Sequence, residues 1–291
     1  MEQYIATTGF FDGVHRGHAS VLNRLTDIGK RFDLPVAVVT FWPHPRIVLN
    51  KDPEKLGLLL SVEEKKQRIQ SFGIDRLIVI PFTKEFSRTL PAQFIDQLVQ
   101  KHGVAGLCIG YDHHTGSGGS AGYSEIRQIC EKRGIYCERI APLFEGETAI
   151  SSDRIRKCLI ESRLEAANQM LGYSYFLTGT VVHGRKLGRA IGFPTANIAV
   201  DELLKLIPAD GVYSVSVDID SQRLKGMLYV GKKYGEPKTY VEVNIFDFQQ
   251  EIYGKKITVH FERFMRENVR FEDINEMKIQ LEKDKQQILN N

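Results

Sequence analysis

The stretch Thr8-Gly-Phe-Phe-Asp-Gly-Val-His-Arg-Gly-His18 gathers three glycines, an aspartate and two histidines into eleven residues. Gly9, Gly13 and Gly17 let a backbone approach a ligand closely or adopt positive φ. His15 and His18 are three residues apart and can face the same point. Two imidazoles able to donate hydrogen bonds suit the developing negative charge of a nucleotide triphosphate. A helix starting here would add its free N–H groups and the positive end of its dipole. The same residues also fit a tight strand-to-helix turn with two surface histidines. A metal site is a further alternative, for which no third ligand is evident. Asp12 suits a role in positioning the turn. A second cluster is Ile150-Ser-Ser-Asp-Arg-Ile-Arg156. Serines ahead of a helix cap its N-terminus, and Arg156, about one turn inside, can reach a phosphate. Taken alone, this would be a capped helix with a solvated arginine.

The elements that carry these residues follow from hydrophobic period. Tyr4–Thr8, Pro35–Phe41, Arg76–Pro81, Val104–Ile109 and Ile135–Ile140 are short runs rich in Val and Ile. Helical patterns lie between them at Ala19–Phe32, Val62–Phe72, Pro91–His102 and Tyr123–Arg133. Strands alternating with helices of this length predict a parallel sheet covered on both faces. Helical stretches follow Ser151-Ser152 and span Leu164–Leu171. At about Gly172 the texture changes to short alternating segments, at Tyr175–Val182, Gly211–Asp218, Leu224–Val230, Tyr240–Phe246 and Lys256–Phe261. They predict a small antiparallel barrel or sandwich. A charged amphipathic helix over Phe271–Ile288 ends the chain, with Ile274, Met277, Ile279, Leu281 and Ile288 as its apolar positions. Two domains are expected, at 1–172 and 173–291.

Composition narrows the partners. The 291 residues carry 39 Lys+Arg against 36 Asp+Glu, a net charge of +3. That excess is too small to imply nucleic acid or an anionic membrane. No apolar run approaches the roughly 20 residues needed to span a bilayer, and Met1–Thr8 does not read as a signal peptide. Four cysteines without a C-x-x-C pair suggest neither a disulfide scaffold nor a zinc knuckle. The expectation is a reduced, cytoplasmic, soluble protein, a monomer or weak homo-oligomer.

The H-x-G-H turn after a strand, with I-S-S-x-x-I-R near the domain end, resembles the nucleotidyltransferase superfamily. Together with Thr40-Phe-Trp-Pro-His-Pro45 and Gly110-Tyr-Asp112, it is similar to the adenylyltransferase module of bacterial bifunctional riboflavin kinase/FAD synthetases. Gly179-Thr-Val-Val-His-Gly-Arg-Lys-Leu-Gly-Arg-Ala-Ile-Gly-Phe-Pro-Thr-Ala-Asn-Ile198 resembles the riboflavin kinase signature, as do Gly211-Val-Tyr213, Val241-Glu-Val243, Asp247-Phe248 and Tyr253-Gly254. The resemblance implies an α/β nucleotidyltransferase-like first domain with a Rossmann-like parallel sheet. It implies a small antiparallel β-barrel, riboflavin-kinase-like, as the second, with a terminal helix.

The resemblance also implies site residues. His15 and His18 would be catalytic, with Gly9, Asp12, Gly17, Ser151, Ser152 and Arg156 binding ATP. His44 and Asp112 would serve the flavin. In the second half, Gly184, Gly188 and Gly192 would cradle ATP phosphates. Thr195 and Asn197 would hold Mg²⁺ with those phosphates, and Glu242 would take or orient the hydroxyl proton of riboflavin. ATP, riboflavin, FMN and FAD would be substrates and products. The chain departs from the family pattern at His113, Thr115 and Ser120, and again at Tyr229 and Asn244. Two alternatives stay open: an adenylyltransferase whose barrel is inactive or binds flavin, and a non-catalytic flavin-responsive binding protein.

Overall fold

The computed structural model describes residues 2–49, 56–111, 122–184, 188, 191–232 and 238–290. Cα packing divides the chain into Met1–Ser152 and Asp153–Asn291. The first unit runs β1 (Tyr4–Thr8), α1 (Arg16–Phe32), β2 (Val36–Trp42), α2 (Pro45–Val48), α3 (Val62–Gln70), β3 (Arg76–Pro81), α4 (Pro91–His102), β4 (Val104–Ile109), α5 (Tyr123–Lys132) and β5 (Tyr136–Arg139). A small hairpin of β6 (Phe144–Glu145) and β7 (Thr148–Ala149) follows. The five long strands form one parallel sheet in the order β3-β2-β1-β4-β5.

Sequence explains this layering. All of β1 and Val36–Phe41 of β2 are buried, as strands covered on both faces must be. Helix α1 turns Val21, Leu22, Leu25 and Ile28 inward, and ends at Asp33 in the left-handed conformation after Lys30 and Arg31. Ser61 and Glu64 form a reciprocal capping box that starts α3. The strand order reverses between β1 and β4. Open α/β sheets bind ligands in the crevice beyond the carboxyl ends of strands at such a reversal. The glycine–histidine turn after β1 sits at this point.

The second unit holds most of α6 (Ser152–Ile160), which begins at the division, then α7 (Leu164–Leu171), β8 (Phe176–Val182), β9 (Ala196–Val200), β10 (Gly211–Ile219), β11 (Gln222–Lys232), β12 (Thr239–Ile245), β13 (Lys256–Arg266) and α8 (Ile274–Leu289). Its six strands close a barrel in the order β10-β11-β12-β9-β8-β13, with every neighbouring pair antiparallel. The Asn168 side chain accepts from the Tyr175 amide and donates to the Phe261 carbonyl, both at 2.8 Å, which fastens α7 to the strands. The Ala209 amide donates to the Leu159 carbonyl of α6 at 3.0 Å.

Three details differ from the sequence reading. Ala196–Val200, which is not among the segments read from the sequence, is a barrel strand. Strand β13 runs to Arg266, because bulges against β10 at Val212/Tyr213 and Ser214/Val215 carry the pairing past Phe261. Helix α8 packs through Met277, Leu281 and Ile288, but Ile274 and Ile279 are 57% and 71% exposed. Positions 277, 281, 284 and 288 form the single inward stripe. Ile279 lies off that stripe, and Ile274 sits in the exposed first turn.

The stripe includes Asp284, only 2% exposed. Its carboxylate accepts from Arg266 of β13 at 3.0 and 2.7 Å and from Gln280 at 2.7 Å. Removing one member of a buried pair strands the other charge. Asp284→Ala is therefore expected to cost roughly 3 kcal/mol of stability, and Asp284→Asn less. Thermal unfolding of the two variants checks this.

Candidate active site

The turn between β1 and α1 is held in an uncommon backbone path. Phe11 and Val14 have φ of 50° and 36°, and Gly13 has 80°. Left-handed conformations in non-glycine residues cost on the order of 1–3 kcal/mol each and persist only where the surroundings enforce them. Asp12 is buried, and its carboxylate accepts from the amides of Leu59 at 3.0 and 3.1 Å and of Leu60 at 3.2 Å. The Phe10 carbonyl accepts from the Lys65 ammonium at 3.0 Å and the Thr40 hydroxyl at 3.3 Å. The Ser152 hydroxyl donates to the Asp12 carbonyl at 2.8 Å. Ser151-Ser152 thereby lies against the turn. Ser152 is the first residue of α6, and its hydroxyl reaches across to Asp12 instead of capping its own helix.

His15 and His18 are stacked, with ring centroids 3.7 Å apart and planes inclined by 14°. His15 is the N-cap of α1, and its Nδ1 accepts from the His18 amide at 3.2 Å. A neutral imidazole that accepts at Nδ1 carries its proton on Nε2, which leaves Nε2–H as a donor. Gly17 leaves room for the His15 ring, since a Cβ there would crowd it at 3.1 Å. Burial, then the His15 ring and the Lys65 ammonium, hold His18 well below the usual histidine range. Its Nδ1 is buried without a hydrogen-bond partner. Such a group is normally satisfied, and here it marks where a polar ligand atom would be accepted or would donate.

His44 caps α2, accepting from the Arg46 amide at 3.2 Å, and its ring lies 5.0 Å from that of Phe10. Phe11 in turn lies 5.0 Å from His18. The adjacent phenylalanines thus connect His44 to the histidine turn. Gly9 donates its amide to Val39 at 3.0 Å and keeps the turn close to β2. Arg156 is on α6 in the second unit, paired with Asp153 at 2.6 Å. Asp112, with His113, Thr115 and Ser120, lies outside the described residues.

A second polar cluster sits in the barrel. Glu242 on β12 faces Asn197 on β9 in register, and the Thr195 hydroxyl donates to the Glu242 carboxylate at 3.3 Å. Gly184 leaves space for the Asn197 side chain, which a Cβ there would displace, at 2.1 Å from its amide nitrogen. Gly188 accepts from the Phe193 amide at 2.8 Å, and Gly192 turns the loop with φ 83°. Hydroxyl, amide and carboxylate oxygens brought together are the donor set Mg²⁺ takes, so these residues fit that ion.

The structure places the two barrel residues that depart from the family pattern. The Asn244 amide donates to the Pro194 carbonyl at 2.7 Å, next to Thr195 and just ahead of β9. Tyr229 pairs with Glu242 across β11 and β12, and burial, then Asp210 and Glu242, push its phenol up.

Lys65 is the residue of this turn's surroundings that motif reading missed. It is 6% exposed, and burial pulls its ammonium below the usual lysine range, while the Asp12 carboxylate opposes that shift. The available signal was its place in α3, one turn before the buried Ile69. A lysine on an inward stripe needs a partner.

His18 is held neutral in the fold, but the unfolded chain takes up a proton as pH falls through about 6.5. The unfolded state then binds more protons, so stability falls on acidification by up to about 1.4 kcal/mol per pH unit for this one group. His18→Gln is expected to remove that share of the slope, measured by denaturant unfolding between pH 7 and pH 5.

Comparison with known proteins covers both units of the chain. A family model described as FAD synthetase matches residues 1–154, and one described as riboflavin kinase matches residues 171–291. The bifunctional riboflavin kinase/FMN adenylyltransferase of Bacillus subtilis (strain 168) is 36% identical over 294 residues, covering 98% of this chain and 91% of that protein. The protein of the same description from Listeria monocytogenes is 36% identical over 289 residues, covering 97% and 90%. A crystal structure described as a macrolide-efflux protein from Streptococcus pneumoniae aligns with a TM-score of 0.93 and 28% identity, covering 100% of this chain and 95% of that one. Among the described residues, no helix is long and apolar enough to cross a membrane. With two family models matched in order and relatives above 30% identity along nearly the whole length, the chain belongs to the bifunctional riboflavin kinase/FMN adenylyltransferase family.

Proposed function

We propose that this chain makes FAD in two steps: ATP-dependent phosphorylation of riboflavin to FMN, then transfer of AMP from a second ATP to FMN with release of pyrophosphate. The observation that supports the reading is that each of the two matched stretches holds its own polar cluster, stacked histidines at the start of α1 in one and Thr195, Asn197 and Glu242 in the other. We assign adenylyl transfer to residues 1–172 and the kinase to 173–291.

In adenylyl transfer an oxygen of the FMN phosphate attacks the α-phosphorus of ATP, so the protein need supply no nucleophile. Its work is alignment and charge stabilisation. His15 Nε2–H and the first amides of α1 donate to phosphate oxygens. His18, neutral in the free protein, gains proton affinity as negative charge arrives beside it. Gly9, Asp12 and Gly17 shape the turn that receives ATP, and Ser151, Ser152 and Arg156 supply further phosphate contacts. His44 and Asp112 serve the flavin.

In the kinase half Glu242 accepts the proton of the riboflavin hydroxyl as that oxygen attacks the γ-phosphorus. Gly184, Gly188 and Gly192 admit the phosphates. Thr195 and Asn197 would hold Mg²⁺, which supplies charge neutralisation on the phosphate oxygens. We place the protein in the cytoplasm as a monomer or weak homo-oligomer, acting on nucleotides and flavins and not on nucleic acid.

Purified protein incubated with Mg-ATP should convert riboflavin to FMN, and FMN to FAD, as resolved by chromatography. Product from FMN alone would select the adenylyltransferase with an inactive barrel, and no product from either would overturn the proposal. His15→Ala should lower FAD formation at least tenfold, equivalent to about 1.4 kcal/mol of transition-state stabilisation. A parallel melting curve separates this from the lost helix cap, worth about 1 kcal/mol. Glu242→Gln should abolish FMN formation from riboflavin and leave FAD formation from FMN intact.

A further inference from the structure

One short segment grips the histidine turn on both sides of its strained residue. Phe10, Phe11 and Asp12 are consecutive, and Phe11 carries a φ of 50°. Ahead of it, the Phe10 carbonyl accepts from the Lys65 ammonium at 3.0 Å. Behind it, the Asp12 carboxylate accepts from the Leu59 and Leu60 amides at 3.0 and 3.2 Å. Lys65 and those two leucines belong to one stretch, which enters α3 through the Ser61 cap. The rings between them point the grip at the site. Phe11 lies 5.0 Å from His18, and Phe10 lies 5.0 Å from His44.

The choice of lysine is informative. The Thr40 hydroxyl already donates to the Phe10 carbonyl, at 3.3 Å. A neutral donor is enough for a backbone oxygen, and an ammonium is costly to bury. Yet Lys65 is only 6% exposed. What lysine adds to the hydroxyl is reach from α3 and a positive charge.

We propose that Lys65 is a positioning residue for adenylyl transfer, fixing through the Phe10 carbonyl the turn that presents His15 and His18 to the nucleotide phosphates. The assignment rests on the reading that this turn receives ATP. Lys65 acts on the reacting atoms only through the turn, in two ways. Its hydrogen bond holds the path on which the stacked imidazoles depend, and a misplacement of about 1 Å can cost on the order of a hundredfold in rate. Its charge disfavours a second positive charge nearby. The charged and titratable groups that bear on His18 are His15, the cap of its own helix, and Lys65 from α3, both after burial itself, while Asp12 bears on Lys65. Lys65 thereby helps keep the His18 ring neutral until phosphate charge arrives. The buried His18 Nδ1, without a hydrogen-bond partner, is the atom this leaves available.

The test is Lys65→Met in the full chain, which keeps the stem and removes the ammonium. The Phe10 carbonyl keeps Thr40 and Asp12 keeps its two amides, so the variant should fold, as a melting curve checks. For FAD formation from FMN, kcat should fall at least about tenfold, with KM for Mg-ATP changing less than about threefold. A second readout needs no turnover. The His18 ring C–H signal, identified by its loss in His18→Gln, should titrate at higher pH in Lys65→Met. It should stay in place in Lys66→Met, whose lysine is exposed on the same helix. A Lys65→Met variant with the parent's kcat, a loss confined to KM, a fall in rate matched by a collapse in melting temperature, or an unmoved His18 titration would each overturn the role of Lys65. A parent unable to make FAD from FMN would instead overturn the function proposed above, and this assignment with it.

Discussion

The buried carboxylate of Asp12 organises the first unit's candidate site. One side chain receives the amides of Leu59 and Leu60, and its own carbonyl receives the Ser152 hydroxyl. One residue earlier but one, Phe10 receives Lys65 and Thr40. Segments far apart in the chain therefore converge on a three-residue stretch of turn. Hydrogen bonds to charged groups in buried surroundings are among the stronger ones. They hold Phe11 and Val14 at positive φ, and that path carries the chain from β1 into α1 with His15 as cap and His18 stacked on it. Without the clamp, the imidazoles would lose their common orientation.

The barrel reaches the same end by register. Glu242, Asn197 and Tyr229 are neighbours because β11, β12 and β9 pair as they do. A slip of one residue would turn Glu242 to the other face. Asn244 adds a side-chain tie to Pro194, so the segment leading into β9 is fixed from across the sheet. A residue that departs from the family pattern thus performs a positioning task in this chain.

Much of this was legible in the sequence because it is local. The alternation of apolar runs and helical stripes gave the sheet and its helices, and Thr8–His18 announced a strand-to-helix turn by its glycines and histidines. The kinase-like glycines and Glu242 were legible through a motif. Lys65 left only the hint of a lysine on an inward helix stripe, since its partner Phe10 is 55 residues away. The Asn244 tie spans 50 residues and was equally hidden. The exposed Ile274 and Ile279 show the opposite limit. Periodicity names apolar positions on a helix, but only packing decides which side is covered. Asp112 lies outside the described residues.

The ladder between β12 and β9 consists of the pairs Glu242–Asn197 and Val243–Ala196, whereas β10 and β11 pair from Gly211–Val230 to Ile219–Gln222. Fewer backbone bonds mean a lower free energy of local opening. The barrel's softest seam therefore runs through the residues that would hold the cation and the reacting hydroxyl. Breathing along that line would admit a bulky planar guest without disturbing the remaining wall.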